Sequence, residues 1–365
     1  MRSLFPPTSL PKALDTLGFV QADPIRAPAR AQDLTLRHRV TNYRAGDLER
    51  RYSRLHVHED FFINYGFVTD RVFRLMHPRR RGHAPWSVTR GRHVKSLLEF
   101  ISARGVVHPR QVDEHFALGT VTNYWGGSSS ATTHLLDAMH YRGLLRVVRR
   151  EAGIRIYGLN DHGSGALQPV RLTADTTIDS GERRRRLDSL VDVVVNVYAP
   201  LPAASLSTAV RRLRYAVPQW SRELTGALQR ARHRLAHARL DGVDWYWPAG
   251  EQPGVAEPDD TVRLLAPFDP VVWDRRRFEL FWGWDYRFEA YTPAAKRRYG
   301  YYALPLAWRD QVVGWVNIRR AGTGLDVATG FAARAPSGRA FARALDAEVA
   351  RFEAFLAPTV PAGGP

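Results

Sequence analysis

The chain has no cysteine, very few lysines and no apolar run near the length of a membrane span, and each shortage removes a class of function. Without cysteine there is no disulfide framework, no thiolate zinc site and no thiol nucleophile. No stretch approaches the roughly 18 apolar residues of a bilayer-crossing helix, and the first residues lack the apolar core of a signal peptide. These absences point to an intracellular protein, cytoplasmic and, given its charge, associated with the nucleoid. Lys12, Lys95 and Lys296 are the only lysines among 53 basic residues, so amine nucleophiles have few carriers.

What is present is arginine. The formal net charge of +17 implies a polyanionic partner, most simply nucleic acid, although a basic surface that only keeps the protein soluble gives the same count. At 365 residues with 44% apolar content, the chain is long enough for two to three domains with real cores.

Periodicity suggests a repeated pattern. Leu10, Leu14 and Leu17 recur at helical spacing after Ser9, a capping residue, with Pro11 in the first turn and Gly18 as a stop. Val94, Leu97, Leu98 and Ile101 form a second stripe closed by Gly105. Short helices follow over about 109–116 and 130–142, Gly143 ends the latter, and LLRVVRREAGIRIYGL reads as two strands around a glycine turn. Three helices and a hairpin is the order of a winged helix-turn-helix. Beyond a polar linker, Leu187, Leu190, Val191 and Val194 open a third such unit. Its last helix, over about 219–239, carries Arg222, Arg230, Arg232, Arg234 and Arg239 before the Asp241-Gly242 turn into VDWYW. From Thr261 onward aromatic and β-branched segments predict strands, interrupted by a helix over about 273–281 and closed by an amphipathic helix with Phe341, Leu345, Phe352 and Phe355.

The pairing of LGFVQADPI near the start with LLAPFDPVVWDRRRFELFWGWDYRFEAYTPAAKRRYGYYALPL near the end resembles the AlkZ/YcaQ family of bacterial DNA glycosylases. The resemblance spans nearly the whole chain. It implies an α+β protein of tandem winged helices with a C-terminal β-barrel, which releases alkylated purines from duplex DNA and unhooks interstrand crosslinks. The expected division is a winged-helix-like unit with the catalytic motif over 1–90, a winged helix over 91–160 and a linker over 161–182. A third winged helix over 183–254 and the barrel with its helix over 255–365 complete it. The family motif of glutamine, an apolar residue, then glutamine or aspartate falls on Gln21, Ala22 and Asp23, in the aspartate-bearing, YcaQ-like form.

The chemistry suits those residue types. Pro24 disfavours helix at the residue before it, so 19–23 is expected to be extended, and Gln21 and Asp23 then share a face roughly 6.5 Å apart. Alkylation on a ring nitrogen makes a purine cationic and a good leaving group. The remaining tasks are to stabilise an oxocarbenium-like sugar and to position water. A carboxylate does the first and can accept the proton, and an amide can hold the water. On the tripeptide alone, turn capping at Pro24 explains both residues as well.

DNA contacts are expected from Arg26, Arg30, Arg37 and Arg39 beside the motif, and from Lys296, Arg297, Arg298 and Tyr299 on a hairpin around Ala294-Ala295. No metal or organic cofactor is implied. The run His56, His58, Glu59 and Asp60 has ligand-type residues but reads as surface or supporting structure, and WGGSSSA lacks the ending of a phosphate-binding loop. The arginines 183–186 fit a phosphate contact and a solvated linker end equally. The competing class is a non-catalytic winged-helix DNA-binding protein such as a transcription regulator.

Overall fold

The computed structural model describes residues 3–77, 79, 88–122, 127–160, 178–252, 254, 257–322 and 324–357. Most of the expected linker, and Trp125 and Gly126 of WGGSSSA, lie outside these. The chain divides into two compact units, one of Met1–Leu48, Val191–Val210 and Leu228–Pro365, the other of Glu49–Leu190 and Arg211–Ala227.

The first unit begins with the helix Leu10–Leu17, whose buried face is Leu10, Ala13, Leu14 and Leu17. Gly18 ends it in the left-handed region at φ 68°, a conformation a side chain would strain, and donates its N–H to the Leu14 carbonyl. Ser9 stands at the N-cap, but its hydroxyl makes no capping bond. The strand Phe19–Gln21 and the helix Ala31–Leu36 follow.

Four antiparallel strands build the main sheet of this unit in chain order: Val262–Leu264, Leu304–Trp308, Gln311–Ala321 and Gly324–Phe331. Along Gln311–Ala321, Val312, Gly314, Val316 and Ile318 face inward, the alternation of a sheet with one buried side. The helix Arg339–Leu356 buries Phe341, Phe352 and Phe355, and its buried Glu348 accepts the Leu264 N–H. The expected barrel is corrected here: among the described residues the sheet is open, not closed. Its first strand has three residues; of the two strands expected in DYRFEAYTP and RYGYYALPLAW, the first does not form and the second is confined to Leu304–Trp308. Side chains serve that backbone instead. Glu289 accepts the N–H groups of Arg298, Tyr299 and Gly300, and the Asn317 amide donates to the Tyr299 carbonyl. The turn expected at Ala294-Ala295 is a short 3-10 segment, Ala294–Lys296.

The basic helix is shorter than its arginine spacing suggests. A 3-10 segment, Pro218–Glu223, precedes the helix Leu224–Arg234, and Arg239 belongs to the strand Ala236–Leu240. That strand pairs with Val243–Trp247 across Asp241 and Gly242, both at positive φ as a tight hairpin of this hand requires.

In the second unit the helix Val88–Arg104, the strand Val106–Val107, the helices Pro109–Phe116 and Ala131–Tyr141, and the hairpin Leu145–Glu151 with Ile154–Leu159 follow in order. Val94, Leu97, Ile101, Val112, Leu136, Met139 and Val147 meet in one core. His108 caps Pro109–Phe116, its Nδ1 accepting the Arg110 N–H while Gln111 returns a bond to the His108 N–H. The strand Val57–Phe61 puts Glu59 and Asp60 on opposite faces, each in its own buried cluster. Glu59 takes two bonds from Arg150, and Asp60 binds Arg79 and His77, both at 2.6 Å. Glu59 and Asp60 of the ligand-like run are thus consumed by internal ion pairs, His58 meets Asp70, and His56 is exposed. Among the described residues no group of acidic and histidine side chains is arranged to hold a metal, and no helix is long and apolar enough to cross a membrane.

Candidate active site

The helix stop at Gly18 turns the chain into Phe19–Gln21, and the strand carries Gln21 into the interior, 7% exposed. Gln21 Oε1 accepts the indole N–H of Trp273 at 2.9 Å. An indole nitrogen can only donate, so this bond sets the amide orientation: oxygen towards Trp273, the NH2 group turned away. Trp273 is itself held. Its N–H and that of Val272 bond to the Asp269 carbonyl, Val271 donates to the Asp269 carboxylate, and its ring lies 4.7 Å from that of Tyr198.

Asp269 in turn is gripped by both terminal nitrogens of Arg39, at 2.7 and 2.9 Å, and Arg39 also donates to the Thr35 carbonyl. Arg39 is fully buried, so the expected DNA contact is corrected to a structural one. It clamps the turn that presents Trp273 to the helix Ala31–Leu36. Arg37 is likewise internal, paired with Glu348 at 2.7 Å and lying over the Phe352 ring.

Past Gln21 the ladder ends, so the expected extended run covers 19–21 as strand while Asp23 lies in the irregular segment before Pro24. Asp23 Oδ1 accepts the Ile25 N–H at 2.9 Å, a local bond that orients the carboxylate. Its N–H approaches Oε1 of the buried Gln32 at 3.4 Å. Burial raises the Asp23 pKa above the usual aspartate value, the Ile25 bond offsets only part of this, and no ion pair to a described residue compensates it.

The aromatic residues beside Asp23 carry no local motif in the sequence. Tyr302 is buried, and burial followed by the Asp23 charge pushes its hydroxyl well above the usual tyrosine range. Tyr291 is 80% exposed and shifts upward for the same two reasons. Phe288 joins them, with its ring edge-on to Tyr302 at 5.3 Å and to Tyr291 at 6.1 Å. The only sequence signal for this group was the aromatic density of the C-terminal block.

The remaining candidates divide by exposure. Arg26, Lys296 and Arg298 are exposed, and Arg30 is half-buried at the N-cap of Ala31–Leu36. Arg297 donates to the Thr292 carbonyl. Tyr299 is corrected: it is 4% exposed, accepts the Trp284 indole N–H and donates to the Asp285 carbonyl, so it packs the core. Burial lifts the Glu289 carboxyl, but the three backbone N–H groups of 298–300 hold it below its ordinary value, which pins the base of the loop that carries Tyr291 and Lys296.

A family model described as DNA glycosylase AlkZ-like matches residues 14–355. The chain belongs to that family. Among solved structures it is similar to the Streptomyces sahachiroi DNA glycosylase AlkZ, with a TM-score of 0.61 at 14% identity, covering 97% of this chain and 93% of the other. At that identity the likeness shows the mixed α/β fold, and the family supplies the activity class: glycosylase action on DNA.

Proposed function

We propose that the chain is a monofunctional DNA glycosylase that hydrolyses the N-glycosidic bond of alkylated, cationic purine nucleotides, with crosslinked purines as a further substrate. The observation that carries this reading is the pairing of an uncompensated, half-buried carboxylate at Asp23 with an amide at Gln21 locked by Trp273. In this reading the helix–helix–hairpin units are winged helices that grip the duplex, and the protein works in the cytoplasm on nucleoid DNA.

The locked amide divides the labour. With Oε1 already accepting from Trp273, the Gln21 NH2 group donates to the oxygen of the attacking water. Asp23, an acceptor when ionised, takes a proton from that water and stabilises positive charge on the sugar. The glycosidic bond breaks with its electron pair going to the purine, which departs neutral because alkylation had made it cationic. Water oxygen bonds to C1′ and the abasic sugar is the product. No amine is needed. Lys12 is exposed on the helix Leu10–Leu17, away from its buried face, and Lys296 is exposed on the loop tip.

Single-turnover base release from a duplex bearing 7-methylguanine tests this. Asp23→Asn should slow release by about 10²-fold or more. The strand should remain intact until heat or alkali is applied, and borohydride should trap no adduct. An adduct lost in Lys296→Ala would move the chemistry to an amine, and duplex binding without any base release would favour a regulator.

A further inference from the structure

A buried hydroxyl at this site has no partner among the described residues. Tyr302 is 4% exposed, and its Oη makes no hydrogen bond to any described residue. Buried polar atoms are nearly always paired, because an unmade bond leaves the loss of water uncompensated. Three other buried tyrosines of this unit obey that rule: Tyr43 donates to Asp33, Tyr286 to the Ala303 carbonyl and Tyr299 to the Asp285 carbonyl. Tyr302 breaks it while close enough to feel the charges of Asp23 and Arg275. Phe288 stands perpendicular against its ring and is backed by Phe268 at 5.0 Å, so the phenol is held in an aromatic wall beside Asp23.

We propose that the Tyr302 hydroxyl is a substrate-contacting residue, donating its proton to an acceptor atom of the extruded purine, a ring nitrogen or an exocyclic oxygen. This rests on the glycosylase reading above. The attacking water cannot be the acceptor. Water has two lone pairs; one attacks C1′ and the other accepts from the Gln21 amide, so a second donor would block the attack. Asp23 is not the acceptor either, since no bond joins the two. The nucleotide is an acceptor the site suits, since an aromatic wall flanked by the exposed Tyr291 ring fits an unstacked base. An isolated donor also selects: a base lacking an acceptor at that position would leave the hydroxyl buried and unpaired.

Tyr302→Phe removes only the hydroxyl and keeps the ring. Excision of 7-methylguanine in single turnover should fall roughly tenfold, the scale of one lost hydrogen bond. Affinity for undamaged duplex should not change, and the melting temperature should stay level or rise, because an unpaired buried group has been removed. A hydroxyl with a structural partner would lower the melting temperature, and that result, or unchanged excision, overturns the assignment. Binding to a duplex carrying a 2′-fluoro, non-hydrolysable 7-methylguanine separates this from the wider reading. If the wild type releases no base yet prefers that duplex, and Tyr302→Phe loses the preference, hydrolysis is refuted and the contact stands. A preference independent of Tyr302 overturns the contact alone, and no preference in the wild type overturns both.

Discussion

Asp23 and Asp60 are both removed from full solvent contact, and the protein treats them in opposite ways. Asp60 is bound by Arg79 and His77, and although burial pushes its carboxyl up, the Arg79 charge and the His77 hydrogen bond hold it well below the usual aspartate range. Asp23 has one local backbone bond and no paired cation among the described residues, and burial wins. A carboxylate whose charge is already answered has nothing left to offer a ligand. One whose charge is left unanswered opposes folding slightly and is available to stabilise a positive charge that appears only during reaction.

The largest effect should come from breaking the paired member. Asp60→Ala leaves Arg79 buried without its carboxylate and should destabilise the protein by about 3–5 kcal/mol in denaturant unfolding. A loss under about 1 kcal/mol would mean that the cluster is not a structural pair. The two sites also carry opposite signs in pH. The depressed Asp60 pKa contributes stability above the ordinary carboxylate range, lost as pH falls through the folded value. The raised Asp23 pKa works the other way, giving stability at low pH that is lost as pH rises through it.

Next in size is the support of Gln21. Trp273→Phe keeps an aromatic side chain but removes the indole N–H, which frees the amide to flip, and should slow excision by roughly tenfold. In a Gln21→Ala background the same change should do nothing, because Trp273 acts through Gln21; a persistent effect would assign it another role. Excision should also fade as pH drops through the Asp23 pKa, with a midpoint above the ordinary value of about 3.9. A midpoint at or below that value would deny Asp23 the role of ionised base.

The smallest effects belong to the exposed charges. Log affinity for undamaged duplex should fall with log salt with a slope steeper than about −3, and Lys296→Ala with Arg298→Ala should flatten it by about 1–2. Arg39→Ala should cost stability and leave that slope alone, because its charge is spent on Asp269.

Local rules in the sequence carried much of this. Leucine spacing and Gly18 mark the first helix, Pro109 opens another, and Asp241-Gly242 marks its hairpin. The motif Gln21–Ala22–Asp23 was singled out through resemblance rather than through local chemistry. What stayed hidden depends on partners far along the chain. Trp273 meets Gln21 across 252 positions, and Arg39 meets Asp269 across 230, so one was overlooked and the other counted as a DNA contact. The segment 283–303 has strand-like composition, yet Glu289 and Asn317 satisfy its backbone, and no periodicity reveals that.

The sharpest measurement takes Asp23→Asn at pH 7 and reads excision of 7-methylguanine and melting temperature on the same preparation. Asparagine keeps the oxygen that accepts the Ile25 N–H and removes only the uncompensated charge. The account predicts a melting temperature equal to or above wild type with base release down by about 10²-fold or more. Wild-type base release, or a loss of activity matched by a loss of folding stability, would contradict it.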